Sequence, residues 1–360
     1  MNKSVKIPGP GDMSGTAVGP GYHPGEHKSL GGRLVGVIPW VMIAGLLYAG
    51  LFIHPKPTGG AVVPPTIERR DLLYGVSVSD HGSIWVDGNF GKIIKSADGG
   101  KTWSRMESGV DAHLQDIDTW DEQHALAVGN GATVLRTEDG GVHWIKVDVP
   151  HSDVANKLSR VRVTGPGEAW VTGEYGTILH TTDYGATWKQ MRQPEDVNMS
   201  DVDASNPKNI WVAGETGRLF HSADGGATWD MVQSEATSSL MAIQFRDTDH
   251  GVAVGLDGTI LHTENGGGVW HRAPDSQTGN VQHLFGLSWD AKNNEWIAVG
   301  AKGVWVRANA DLTKFQTGRL SASDLSAHTK IGLLDQSTML IAGEHPGLWD
   351  RSAWTTLVGR

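Results

Sequence analysis

Three groups of residues in this chain have types and spacings that could do chemistry. His180, His221 and His262 recur at intervals of 41 residues, each one place before a serine or threonine. Imidazole nitrogens at about 2.0–2.1 Å would suit zinc. Tyr74, Tyr175 and Tyr184, with arginines and aspartates to hand, have the types needed for glycoside hydrolysis through a tyrosine nucleophile and a carboxylic acid. The third group is ionic: Asp116 and Asp118 flank Ile117, Arg160 and Arg162 flank Val161, and Asp201 and Asp203 flank Val202. What each group can do depends on the elements that carry it.

Those elements repeat. The stretch Ser96-Ala-Asp98-Gly-Gly-Lys-Thr-Trp103 returns as Thr137 to Trp144 with Asp139, as Thr181 to Trp188 with Asp183, and as Ser222 to Trp229 with Asp224. A fifth copy, Thr263 to Trp270, carries Asn265 in place of the aspartate. The closing tryptophans lie 41, 44, 41 and 41 residues apart, a period that signals a repeat architecture. The carboxylate is suited to accept turn N–H groups, and the glycines supply positive φ where the chain reverses. The tryptophan opens the next strand and buries its ring over the hairpin. Each aspartate is thereby committed to its own turn, so the boxes read as structural and no catalytic residue is assigned.

A second motif runs in register with the first. Gly88-Asn-Phe-Gly91, Gly173-Glu-Tyr-Gly176, Gly214-Glu-Thr-Gly217, Gly255-Leu-Asp-Gly258 and Gly300-Ala-Lys-Gly303 each close a β-rich run, with variants at Gly129 and Gly343. Twelve residues before the first glycine stands an aliphatic in six units (Val76, Ile117, Val161, Val202, Ile243, Ile331), and in the remaining unit Leu287 is shifted by one. Each unit reads as four short strands, and four-stranded units at this period are propeller blades. The expectation is a seven-bladed all-β propeller over 67–360. Blades six and seven lack the box, as terminal repeats often do.

The propeller reading settles two of the three groups. The three histidines fall in successive blades, and packed sheets lie about 10 Å apart, so they cannot share one zinc. Lys95, Arg136 and Arg307 hold the same register elsewhere, and no metal is assigned. Of the tyrosines, Tyr175 beside Glu174 on a glycine-bounded loop is the best placed for contact with a ligand. The ionic group survives: alternation puts both members of each pair opposite their aliphatic neighbour, giving acid, base, acid on consecutive innermost strands. Asp116, Asp118, Arg160, Arg162, Asp201 and Asp203 are therefore candidates for an axial ion-pair cluster or a partner socket.

The N-terminal part is different in kind. Residues 1–33 are rich in Gly and Pro and read as a disordered cytoplasmic tail. Leu34–Ile53 is uncharged over twenty residues, enough at 1.5 Å per residue for a helix of about 30 Å, one hydrocarbon core. Lys3, Lys6, Lys28 and Arg33 precede it, which orients the tail inward and the body outward, into periplasm or lumen. Residues 54–66 form a Pro/Gly-rich spacer. After residue 66 the chain carries 25 Lys/Arg against 38 Asp/Glu, a net of −13, which excludes nucleic acid as a partner. The absence of Cys removes disulfides, thiolate chemistry and an N-terminal lipidated Cys.

The box S/T-x-D-x-G-x-x-W resembles that of bacterial sialidase-type repeats and, more closely, that of the photosystem II stability/assembly factor family, over residues 70–360. The resemblance implies a seven-bladed propeller on the lumenal or periplasmic face of a membrane. There it would assist assembly or stability of a membrane protein complex without catalysis and without a cofactor. The chain departs from the cyanobacterial lipoprotein pattern in having no Cys and an apolar segment instead. No local motif fixes the family's basic patch here. The alternative reading is a cell-envelope glycan-binding protein or sialidase-like hydrolase, which would need paired carboxylates beside an arginine cluster.

Overall fold

The computed structural model describes residues 30–53 and 65–358. Most of the tail and spacer inferred from composition lies outside the described residues. The chain divides into two compact units, Met1–Val63 and Pro64–Arg360.

Among its described residues the first unit holds the helix Leu30–Phe52, with Pro39 inside it. Its side chains are described from Val37 onward, sixteen helical residues in which Trp40, Leu46, Leu51 and Phe52 are exposed. Among the described residues no helix is long and apolar enough to cross a membrane.

The second unit holds twenty-eight strands. They form five four-stranded antiparallel sheets and one of eight strands, the fused first and last blades. Within each blade we letter the strands A to D from first to last. The seven A strands are Leu73–Val78, Leu114–Thr119, Leu158–Gly165, Met199–Asn206, Leu240–Phe245, Leu284–Asp290 and His328–Leu333. Each packs against the next and the seventh against the first, which closes a ring. Among the described residues no strand is exchanged in the closure. A single bridge, Leu73 with Gly343, joins the first and last blades, and Thr329 Oγ1 donates to Tyr74 O at 2.7 Å.

The blades form because their B strands are buried along nearly their whole length and are mostly apolar, Ala125–Gly129 and Gly251–Gly255 among them. The repeated aliphatics sit opposite one another in the A–B ladders: Ile117 with Ala127, Val161 with Val171, Val202 with Val212. Blade six keeps this register. Leu287 pairs with Ala298, and the shift by one is taken up in the hairpin, where Asn294 adopts φ 54°. Since every blade is a meander, the two ends of the ring differ in character. The G-x-x-G loops (B to C) and the blade-to-blade connections (D to A) share one face. The A–B hairpins and box turns share the other.

Candidate functional site

The box turns are built alike. In the first, Ser96 Oγ accepts from Gly100 N at 2.9 Å and donates to Asp98 Oδ1 at 2.8 Å, and that oxygen accepts from Thr102 N at 2.9 Å. Thr137 with Asp139, Thr181 with Asp183, and Ser222 with Asp224 repeat the arrangement. Asn265 Oδ1 still accepts from Thr263 Oγ1 and Val269 N, both at 2.9 Å. Hydrogen bonds from Thr102 and Ser96 hold the Asp98 carboxyl down at about 2, and those from Thr228 and Ser222 do the same for Asp224. Asp139 is likewise held at about 2, by His143 and Thr137.

Each box also reaches into the preceding blade, which the sequence did not suggest. Trp144 meets Trp85 edge-on at 6.1 Å, Trp229 meets Trp170 at 6.2 Å, and Trp270 meets Trp211 at 5.5 Å. The second box glycine is what allows this approach. A Cβ on Gly267 would lie 2.0 Å from the Trp211 ring, so no side chain fits there.

Two of the three periodic histidines serve these same tryptophans. His180 stacks on Trp170 at 4.0 Å and His221 on Trp211 at 4.2 Å, while Lys95 Nζ lies 4.0 Å over the Trp85 ring. Burial lowers the pKa of His221, favouring a neutral ring against the indole, and also that of His262, which stands opposite Val252 with the His271 ring 5.9 Å away. Among the described residues no group of His, Asp and Glu is placed to hold a metal ion.

At the ring centre the aspartates act as acceptors for the next blade. An A strand pairs on one side only, so its other edge presents unpaired N–H groups. Asp116 Oδ2 accepts from Val161 N at 3.1 Å, and Asp118 Oδ2 from Val163 N at 2.9 Å. One blade later but one, Asp201 Oδ2 accepts from Ile243 N at 3.0 Å and Asp203 Oδ2 from Phe245 N at 2.7 Å. Gln244 Oε1 extends the pattern to Trp289 N at 2.9 Å.

The two arginines part company. Arg162 Nε lies 3.8 Å from Asp203 Oδ1 and donates to Val202 O at 3.4 Å. Burial works against its charge, but Asp203, Asp201, Asp118 and Asp116 more than compensate and raise its pKa. Arg160 meets no aspartate. It crosses to blades six and seven, where Nη2 donates to Phe285 O at 3.0 Å and Thr329 O at 2.9 Å.

Two members of the cluster were missed. Lys330 pairs with Asp116 from blade seven. It precedes Ile331 as Asp116 precedes Ile117, so extending the register to the last unit would have found it. Asp87 lies on a B strand, opposite Gly75. It is fully buried: Oδ1 accepts from Gly75 N at 2.9 Å, and Oδ2 has no partner. Burial, and then the neighbouring Asp116, push its pKa well above the usual carboxylate range. Asp203 is pushed up to about 6 by burial, with Arg162 pulling the other way.

Above this cluster, on the G-x-x-G face, opens a funnel of about 380 Å³. Tyr74, Gln115, Ser159 and Ser200 supply polar groups, and Met199, Met241, Leu256 and Phe285 an apolar wall. Arg160 is the one arginine among its lining residues. Glu174 lies at the rim, where its Oε2 accepts from Lys157 N at 3.1 Å. Tyr175 occupies the adjoining loop at φ 56°. Tyr184 is elsewhere, in a box turn against Trp120 and His124. No tyrosine is thus gathered with an arginine cluster among the described residues, and the chemistry on offer is binding by hydrogen bonds, one guanidinium and apolar contact.

The family model described as photosynthesis system II assembly factor YCF48 matches residues 102–196 and 192–263. This is the stretch in which boxes two to four are complete. The chain is 29% identical over 90 residues to the photosystem II assembly lipoprotein Ycf48 of Synechococcus sp. (strain CC9902), covering 25% of this chain and 27% of that protein. It is 30% identical over 74 residues to the chloroplastic photosystem II stability/assembly factor HCF136 of Oryza sativa subsp. japonica, covering 20% and 18%. The alignments therefore span about a quarter or less of these relatives. A solved structure of YCF48 bound to D1 peptide superposes with TM-score 0.63 at 18% identity, over 78% of this chain and 92% of that one, a likeness of fold.

Proposed function

We propose that this chain, a propeller of the photosystem II stability/assembly factor-like kind, is a non-catalytic assembly or stability factor, or accessory subunit, of a membrane protein complex. One observation carries the reading: the described propeller offers an open funnel with donors, one guanidinium and an apolar wall, beside titratable groups already committed to turns and blade seams. Such a surface holds a polypeptide and leaves its bonds intact. The solved YCF48 is bound to D1 peptide, which supports polypeptide binding by this fold. Leu34–Ile53 serves as an uncleaved anchor, with residues 1–33 cytoplasmic and the propeller in periplasm or lumen. Confinement to the bilayer raises the effective concentration near a membrane partner, so modest affinity suffices.

Gentle detergent extraction followed by identification of co-purifying proteins tests the function. Integral membrane subunits in fixed ratio support it, and a chain isolated alone at every detergent strength refutes it. N-terminal sequencing of membrane-extracted protein tests the anchor. A mature chain beginning beyond residue 50 refutes it.

A further inference from the structure

Five G-x-x-G loops hold their third residue in the left-handed region: Phe90 at φ 54°, Tyr175 at 56°, Thr216 at 55°, Asp257 at 54° and Lys302 at 57°. That conformation is strained for any side chain, and most of all for a β-branched or bulky one. Glycine would relieve it, and blade two demonstrates that the turn accepts glycine. Gly131 stands at that place with φ 67° and open space where a Cβ would project.

Packing does not explain the side chains of Phe90, Thr216 and Lys302. Tyr184 is the informative contrast, because it too has φ 55°, where the other box turns place glycine. Its ring is held at 5.2 Å from Trp120 and 4.6 Å from His124, so burial offsets the strain. Phe90 by contrast is 62% exposed, with only the His113 ring near it at 5.0 Å. Thr216 and Lys302 are exposed as well, whereas Tyr175 is half-buried and Asp257 Oδ2 accepts from Ser238 Oγ at 2.7 Å. Strain kept without a compensating contact points to a use outside the folded chain.

Their placement says what the use is. All five lie on the funnel face: Glu174, Glu215 and Leu256, the neighbours of Tyr175, Thr216 and Asp257, line the funnel, while Phe90 lines a separate hollow with Arg105 and Val110. The same face exposes Val154, Val281 and Leu325 on the blade-to-blade connections. Exposed aromatic and aliphatic side chains around a polar-floored hollow are the composition of a protein–protein interface centre. The acidic body speaks against nucleic acid.

We infer that these strained loop residues are the specificity-determining ring of the partner interface, taking a protein of the membrane complex that seats an apolar protrusion in the funnel. The inference rests on the assembly-factor reading and adds where the partner is recognised. It makes an unusual demand on a variant. Phe90→Gly, Tyr175→Gly, Thr216→Gly and Lys302→Gly together relieve strain, so the full-length variant melts at or above the wild-type temperature. Its fraction bound to the membrane complex on native gels nevertheless falls at least tenfold. In parallel, benzoylphenylalanine in place of Phe90 crosslinks in native membranes to an integral subunit identified by mass spectrometry. The same group in place of Val142, exposed on the box face, does not. A four-glycine variant retained as well as wild type, or equal crosslinking from both positions, overturns the inference and leaves the assembly-factor reading standing. A wild-type chain that retains no membrane subunit overturns both.

Discussion

Asp203→Asn is the most direct probe of the ring centre. The Asp203 side chain is 11% exposed, so its charge is sparingly solvated. Burial pushes its pKa up to about 6 against the 3.8 of an unfolded chain, even with Arg162 beside it. A folded-state pKa above the unfolded value means that folding takes up a proton. The stabilisation is complete below the unfolded pKa and is lost as pH rises through the folded one. The whole effect is about 3 kcal/mol, at 1.36 kcal/mol per unit, and about 2 kcal/mol of it falls between about pH 4.5 and 7.5. Asparagine cannot titrate, while its Oδ1 can keep the bond from Phe245 N. Urea unfolding of the full chain in detergent, followed by tryptophan fluorescence, gives the free energy of each form across that range. Wild type should lose about 2 kcal/mol relative to Asp203→Asn on going from acid to neutral pH. Other groups titrate equally in both proteins and cancel. A difference that stays flat, or that moves in favour of wild type as pH rises, would falsify the account of Asp203 as a carboxyl whose ionisation burial opposes.

Two further perturbations concern the last blade, where the boxes end. Arg351, at φ 72° in the turn that replaces the seventh box, pairs with Asp290 and Glu295 of blade six. Arg351→Ala leaves Asp290 buried without its cation and should cost about 3 kcal/mol, with Arg351→Ala/Asp290→Asn recovering part of the loss in thermal melts. His328 is fully buried, and neither ring nitrogen has a hydrogen-bond partner; Asp324 lies 3.7 Å away. It pairs with Gly343 as Leu73, Leu114, Leu158, Met199, Leu240 and Leu284 pair with the loop glycines of their own blades. His328→Leu should therefore stabilise by about 1 kcal/mol, and a lower melting temperature would instead mean that His328 is held charged against Asp324.

The parts of this molecule that repeat were legible in its sequence, because a repeat exposes its own rules. A period of about 41 residues and an aliphatic fixed against each loop glycine suffice to place seven blades and the A–B register. The ionic residues were legible as a set, since alternation alone puts Asp116 and Asp118 on one side of their strand. What alternation cannot give is the partner. Whether Arg160 meets an aspartate or crosses to Phe285 O depends on blades 125 and more residues distant in sequence, and no local pattern encodes that distance. The same limit hid the seating of each box tryptophan against the preceding blade. Lys330 and His328 are a different matter, since both occupy registers already defined by other units. Ile331 and Gly343 already align that blade, but neither residue belongs to the acid, base, acid run of consecutive blades that marked the cluster.

The ring centre also explains why the binding surface should lie where it does. Every A strand leaves one backbone edge unpaired, and at three of the seams carboxylates or an amide from the preceding blade satisfy the N–H groups of that edge. Carboxylates make strong acceptors, but several of them close to one axis repel, and burial removes the water that would screen them. Arg162 and Lys330 answer that repulsion, Arg160 adds positive charge near the axis, and Asp87 avoids adding to it by favouring its protonated form. Once these groups are committed to one another the axis has little freedom left for a ligand, because drawing one charge away leaves its counterpart buried and alone. The loops above carry no such obligation. Their backbone bonds are complete without their side chains: Gly91 N donates to Ala112 O, Gly176 N to Val197 O, and Gly303 N to Ser326 O. Residues there can change without disturbing a seam. A propeller stitched through its centre is thus free to vary its rim, and the strained residues on that rim are where variation is expected to track the partner.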